Sequence, residues 1–162
     1  MNLNELPPDS EVFIDSNIFT YHLLGYKRYR ESVRDFLIKI ESGVYKGFIN
    51  EIVISEVVHN VLRVKICEKY NILPIDFARF IKSNPQTISE VNLDKAIDIL
   101  SMANLQLIQE IEINMVKDHI SKYNLLSADA IHTVSCNIQD IQHIATNDSD
   151  FERAIFLNVW TP

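Results

Sequence analysis

Glycine, cysteine and tryptophan are all scarce in this sequence, which holds three, two and one of them in 162 residues. Gly25, Gly43 and Gly47 fit neither a Walker pattern nor a dinucleotide-binding one, which excludes a glycine-rich phosphate loop. Cys67 and Cys136 are too few for a disulfide framework, and each falls in a helical pattern as a reduced, buried thiol. The five histidines lack zinc-ligand spacing with these cysteines. His132 and Cys136 stand one helical turn apart, yet no electropositive setting marks them as a thiolate pair. No apolar run approaches the roughly 20 residues needed to cross a bilayer. Residues 1–10 are polar and proline-bearing, unlike a secretory signal, so the expected location is the cytoplasm, with no membrane association. Positive charge is also in deficit. Fifteen Lys and Arg against 22 Asp and Glu give a net charge of −7, which disfavours a grip on nucleic acid by overall electrostatics alone.

What is present reads as a single α/β domain spanning residues 1–162, large enough to bury one core. Short apolar runs at 11–14, 45–49, 105–108, 142–145 and 156–160 predict strands. Helical periodicity predicts helices at 16–24, 26–42, 51–70, 75–82, 87–102, 112–123 and 127–137. Strands alternating with helices imply crossover units, hence a mainly parallel sheet covered on both faces. In the helix at 51–70, Val53, Val57, Val61 and Val64 share one side, with Ile54 and Val58 nearby. Glu56, His59 and Arg63 share the other.

Four acids stand at informative places. Asp15 ends the first strand, Glu56 lies on the polar side of the long helix, Asp129 opens a later helix, and Asp148 follows the strand at 142–145. In open α/β sheets the ligand crevice lies beyond the carboxyl ends of the strands, where strand order reverses. A strand order of 3-2-1-4-5 makes the strands of Asp15 and Asp148 neighbours. Each acid also has a plainer explanation: Asp15 as a helix cap, Glu56 as solvated surface, Asp129 as a first-turn acid in a helix capped by Ser127, and Ser149 with Glu152 as a capping box beside Asp148. The conjunction favours a common site. Carboxylates about 4 Å apart repel by roughly 4 kcal/mol per pair at an effective dielectric near 20. A protonated acid or a bound cation offsets that repulsion, and oxygen-only donors suit Mg²⁺ or Mn²⁺.

The stretches Val12-Phe13-Ile14-Asp15-Ser16-Asn17 with Tyr21 downstream, Ser55-Glu56-Val57, Leu125-Leu126-Ser127-Ala128-Asp129-Ala130-Ile131-His132 and Ala145-Thr146-Asn147-Asp148-Ser149-Asp150-Phe151 resemble, in order, the motifs of PIN-domain nucleases. The resemblance implies a three-layer αβα sandwich and a Mg²⁺- or Mn²⁺-dependent endoribonuclease acting on single-stranded RNA. Many small members are VapC-like toxins, held by a cognate antitoxin and assembled as homodimers. Asp15, Glu56, Asp129 and Asp148 match the family's catalytic and metal-binding acids, and Asp150 matches a supplementary metal-binding acid. Asn17 and Thr146 are the implied polar supports. Arg28, Arg30, Arg34 and Arg63 are the candidates for guiding the RNA backbone. The segment 71–103 is longer than in the smallest toxins, which bears on dimerisation and antitoxin docking. The alternatives are a non-catalytic RNA-binding or scaffolding module that keeps the fold, and a nuclease for structured DNA. The second lacks the long insertions expected for threading a flap.

Overall fold

A computed structural model describes residues 1–162. Five strands form one wholly parallel sheet in the order β3-β2-β1-β4-β5, where β1 is Glu11–Ile14, β2 Lys46–Asn50, β3 Leu105–Ile108, β4 His143–Ala145 and β5 Asn158–Trp160. Helices cover both faces, giving the three-layer sandwich. They are α1 Ser16–Leu23, α2 Arg30–Glu41, α3 Glu51–Tyr70, α4 Phe77–Ser83, α5 Asp94–Leu100, α6 Ile113–Tyr123 and α7 Ser127–Ile138. The central strands are apolar on both sides: Val12, Phe13 and Ile14 of β1 are fully buried, as burial between two helical layers requires. No helix is long and apolar enough to cross a membrane.

Strand order reverses between β1 and β4, and the register there builds the site. Ile14 pairs with Ala145, and the backbone N–H of Asp15 donates to the Ala145 carbonyl at 3.0 Å. The residues immediately beyond these two strands are therefore side by side at the sheet's carboxyl edge. On the other flank of β1, β2 delivers α3 with no intervening loop, because Asn50 both ends the strand and caps the helix through Val53 N–H.

Close approach explains the glycine in β2. A Cβ on Gly47 would stand 2.9 Å from Leu105 Cδ1, 3.0 Å from Ile14 Cδ1 and 3.2 Å from Ile40 Cγ2. Gly47→Ala is expected to overpack this layer and lower stability by about 1–3 kcal/mol in a denaturant titration. An unchanged midpoint would show that the three side chains re-pack freely.

Several expected elements are shorter than their apolar spacing suggested. The helix predicted at 26–42 begins only at Arg30, because Gly25 takes φ +68° and residues 26–29 form a turn built on the Tyr21, Tyr26 and Tyr29 rings. The helix predicted at 87–102 divides into a 3-10 segment, Pro85–Glu90, and α5. Asn92 Oδ1 takes the N–H of Asp94 at 2.8 Å, and such local side-chain bonds compete with a continuous helix. Three capping expectations are also corrected. The carboxylate of Asp15 makes no cap bond to α1, and Ser127 lies inside α7, whose cap residue is Leu126. Asp148 rather than Ser149 caps the 3-10 turn Ser149–Arg153, through Asp150 N–H at 2.9 Å.

Candidate active site

At the carboxyl edge of the sheet lies a cavity of about 470 Å³ lined by ten residues, none hydrophobic. Asp15, Glu56, Asp129 and Asp148 all line it, together with Ser16, Asn17 and His132. Four separate pieces of chain supply these acids: the β1–α1 junction, the second turn of α3, the first turn of α7, and the loop after β4.

Asp15 is 6% exposed, and its side-chain bonds lead away from helix capping. Its Oδ2 accepts from Thr146 Oγ1 and from Asn17 Nδ2, both at 2.5 Å, and its Oδ1 accepts from Ser16 Oγ at 3.3 Å. Asn17 Nδ2 also donates to Thr146 Oγ1 at 3.0 Å, and Thr146 Oγ1 in turn accepts from Asp148 N–H at 3.0 Å. The fully buried Thr146 thus ties the acid after β1 to the loop after β4. Burial pushes the Asp15 carboxyl above its usual range, against the lowering influence of His132 and of the Thr146 bond.

Burial also raises Asp129, and the charges of Asp148, Asp15 and Asp150 add to the effect. Glu56 behaves oppositely. The neighbouring His132 imidazole holds its carboxyl below the usual range despite partial burial, and Ser16 assists. His132 Nε2 is 3.8 Å from Glu56 Oε2, beyond hydrogen-bond length, so the approach is electrostatic. Ligand atoms of Asp15, Glu56 and His132 lie within 4.8 Å of one another.

The other sequence-predicted residues divide. Asn17 and Thr146 join the cluster, whereas Asp150 lies outside the cavity lining and is engaged by Arg153. Arg63 donates at 3.3 Å to Asn60 Oδ1, and Asn60 is a lining residue. Arg34 pairs with Asp35 at 2.9 Å and faces a separate groove with His22, Leu37 and Lys95. Arg28 lies over the Tyr29 ring, 5.2 Å from its centroid, and Arg30 is exposed at the start of α2. In the sequence His132 closes the third motif, and the one role weighed for it was as a partner of Cys136. That cysteine is fully buried and its thiol is pushed far up by burial, which leaves it to core packing. The i, i+3 spacing from Asp129 to His132 was the available signal, since it puts both on one helical face. Asn50 was missed outright, while Ser16 and Tyr21 stood in the first motif without a role; the Tyr21 hydroxyl accepts from Asn147 Nδ2 at 3.2 Å.

The chain belongs to the PIN domain family, whose model matches residues 12–157 and so spans β1 to the loop before β5, with all four acids inside it. Among curated proteins it is similar to Ribonuclease VapC2 of Methanocaldococcus jannaschii, 29% identical over 151 residues that cover 93% of each chain. It is similar also to Ribonuclease VapC6 of the same organism, 29% identical over 152 residues, covering 93% of this chain and 96% of the relative. The fold matches a crystal structure of VapBC2 from Rickettsia felis bound to a DNA fragment from their promoter, with TM-score 0.60 and 15% identity, covering 93% of this chain and 98% of the other.

Proposed function

We propose that the chain is a Mg²⁺- or Mn²⁺-dependent endoribonuclease that hydrolyses phosphodiester bonds of single-stranded RNA, the toxin of a toxin–antitoxin pair. The observation that carries this reading is the convergence of Asp15, Glu56, Asp129 and Asp148 on one cavity with no hydrophobic lining. The two ribonucleases similar along nearly the whole chain support it.

The donor set fits a hard divalent cation. Burial raises both Asp15 and Asp129, and carboxylate charge compounds it, so a cation among them would remove a repulsion built into the fold. Asp15, Glu56, Asp129 and Asp148 would hold it. Asp150 is committed to Arg153 and would act through its charge on Asp129. When bound, such an ion supplies Lewis-acid neutralisation of phosphodiester charge and makes an attacking water easier to deprotonate. The chain's own residues do the rest. Thr146 and Asn17 fix the Asp15 carboxylate in one orientation, and Ser16 and His132 keep Glu56 ionised. Tyr21, stacked on Tyr29 at 4.5 Å and bonded to Asn147, the residue before Asp148, would offer an aromatic surface to unstacked bases.

Cleavage of labelled single-stranded RNA tests the assignment. Activity is expected with Mg²⁺ or Mn²⁺ and is expected to vanish with EDTA or in Asp15→Asn, and branched DNA should compete poorly. Cleavage that persists in Asp15→Asn would remove the acid cluster from the reaction.

Arg28, Arg30, Arg34 and Arg63 are proposed to steer the RNA backbone, offsetting the net charge of −7. Each phosphate contact on a single strand contributes about 0.7 to the log–log salt slope, so Arg30→Ala with Arg34→Ala should flatten it by roughly 1.4. An unchanged slope would send the RNA elsewhere, with Arg63 the next candidate. A cognate antitoxin and a homodimer belong to the same proposal. Leu73 and Ile75, 67% and 87% exposed in the segment 71–103, leave apolar surface for a protein partner.

A further inference from the structure

Asn50 is 1% exposed and meets three groups at once. Its Oδ1 accepts from Val53 N–H at 3.2 Å, capping α3. Its Nδ2 is 3.0 Å from Ser135 Oγ and 3.1 Å from His132 Nδ1. The two sides of this amide are not interchangeable. Val53 N–H can only donate, so it requires the oxygen. The Ser135 hydroxyl already donates to the Ile131 carbonyl at 3.0 Å, so toward Asn50 it can only accept, and it requires the nitrogen. With both ends fixed, Asn50 presents an N–H to His132, and Nδ1 of the ring must be the acceptor. A neutral imidazole that accepts at Nδ1 carries its proton at Nε2. That N–H is the ring atom turned toward Glu56.

We infer that the helix cap at Asn50 locks His132 as the Nε2–H tautomer, so that the ring turns an N–H dipole toward Glu56, 3.8 Å away, and is not a metal ligand. The proximity of Asp15, Glu56 and His132 would otherwise suggest a mixed nitrogen and oxygen site of the kind that favours Zn²⁺ or Ni²⁺. A protonated Nε2 has no lone pair to give, which leaves an all-oxygen set. The same hydrogen-bond chain joins the start of α3, which carries Glu56, to α7, which carries Asp129. The ring is further fixed by Phe13 and Phe151, with centroids 5.2 and 6.2 Å away. Asn50, behind the cavity, and His132, in its wall, therefore couple the two helices that carry Glu56 and Asp129.

The inference about the ring stands on the hydrogen bonds alone; its consequence for metal choice rests on the proposed function. Long-range ¹H–¹⁵N correlation of ¹⁵N-histidine-labelled wild-type protein reads the ring directly. The expected result is a neutral Nε2–H pattern for His132 that persists when Mg²⁺ is added. A neutral Nδ1–H pattern would overturn the inference, as would direct ligation of Nε2 on titration with Mg²⁺ or Zn²⁺. Isothermal titration with Mg²⁺, on variants checked for cooperative melting, provides the second arm. His132→Gln keeps an N–H near the Nε2 position and should stay within about 3-fold of wild type. His132→Ala should lose roughly 10-fold or more, the usual cost of removing a group that orients a ligand. Equal losses in both variants would contradict a role for that N–H. A wild-type protein that shows Nε2–H but takes up no Mg²⁺ would confirm the tautomer and refute the proposed metal chemistry, so the two failures are distinguishable.

Discussion

Asp15→Asn is expected to lower kcat/KM for RNA cleavage by about 10²- to 10³-fold, the scale of losing one preorganised charge-stabilising group, and to raise the melting temperature of the metal-free protein. The substitution is nearly isosteric. Its amide oxygen can keep both donors that now meet Oδ2, from Thr146 and Asn17, and its nitrogen can donate to Ser16 Oγ. What disappears is a buried charge that the fold opposes, as the raised Asp15 carboxyl shows. Removing one carboxylate from a repelling group stabilises by an amount on the order of 1 kcal/mol. Opposite movement of activity and stability separates loss of chemistry from loss of structure, because a misfolded variant loses both. A variant that melts lower and cleaves poorly would show that Asp15 holds the fold together.

The second large effect couples pH to the divalent ion. Asp15 and Asp129 have carboxyls raised in the folded state above an unfolded value of 3.8. The stability each lends is complete below that value and is lost as pH climbs through the raised one. Glu56 is lowered below 4.5, so its contribution is present above that value and is lost as pH falls through the folded one. Above 4.5 the Glu56 contribution is already complete, so only the two raised acids still change with pH. Within the site, the metal-free protein should therefore weaken as pH rises toward neutrality. Mg²⁺ competes with protons for the same oxygens, so its stabilising effect should grow over that interval. At 100 times its dissociation constant a ligand adds about 2.7 kcal/mol, which for a chain of this size is a rise of roughly 5–10 °C. Thermal melts from pH 4 to 7.5, with Mg²⁺ and with EDTA, check this. The gap between the two curves should open with pH and should nearly close in Asp15→Asn. A gap independent of pH would mean that the ion binds elsewhere.

Much of this architecture was legible because its signals are local. Val12 to Ile14 form an apolar run that stops at an acid, and β2 passes straight into a helix with a regular valine stripe. Those two features mark strand ends that matter, whereas the order β3-β2-β1-β4-β5, which the structure bears out, was expected as a PIN-like arrangement and not from local signals. What the sequence hid depends on partners distant along the chain. Asn50 reads locally as the residue before a helix, and nothing in its neighbourhood announces a bond to His132, 82 positions away. Two of the acids given plainer explanations illustrate the same limit. Asp15 stands at the cap position of α1 and looks like a cap until Thr146, 131 positions away, is seen to take its oxygen. Glu56 lies opposite the valine stripe and reads as surface, yet its side chain is only 36% exposed, with the His132 ring and Ser16 beside it. Where helices were overextended, at 26–29 and at 87–93, apolar spacing continued through residues whose polar side chains or neighbouring glycine end the helix.

The central claim is that four carboxylates, brought together from four elements, form one site for a divalent ion. Anomalous diffraction from crystals of the wild-type protein soaked in millimolar Mn²⁺ measures it most directly. The account predicts a manganese peak in the cavity, within ligand distance of carboxylate oxygens from Asp15 and at least one of Glu56, Asp129 and Asp148, with His132 Nε2 outside the coordination shell. A cavity without a peak, or manganese held only by acids elsewhere on the surface, would contradict it.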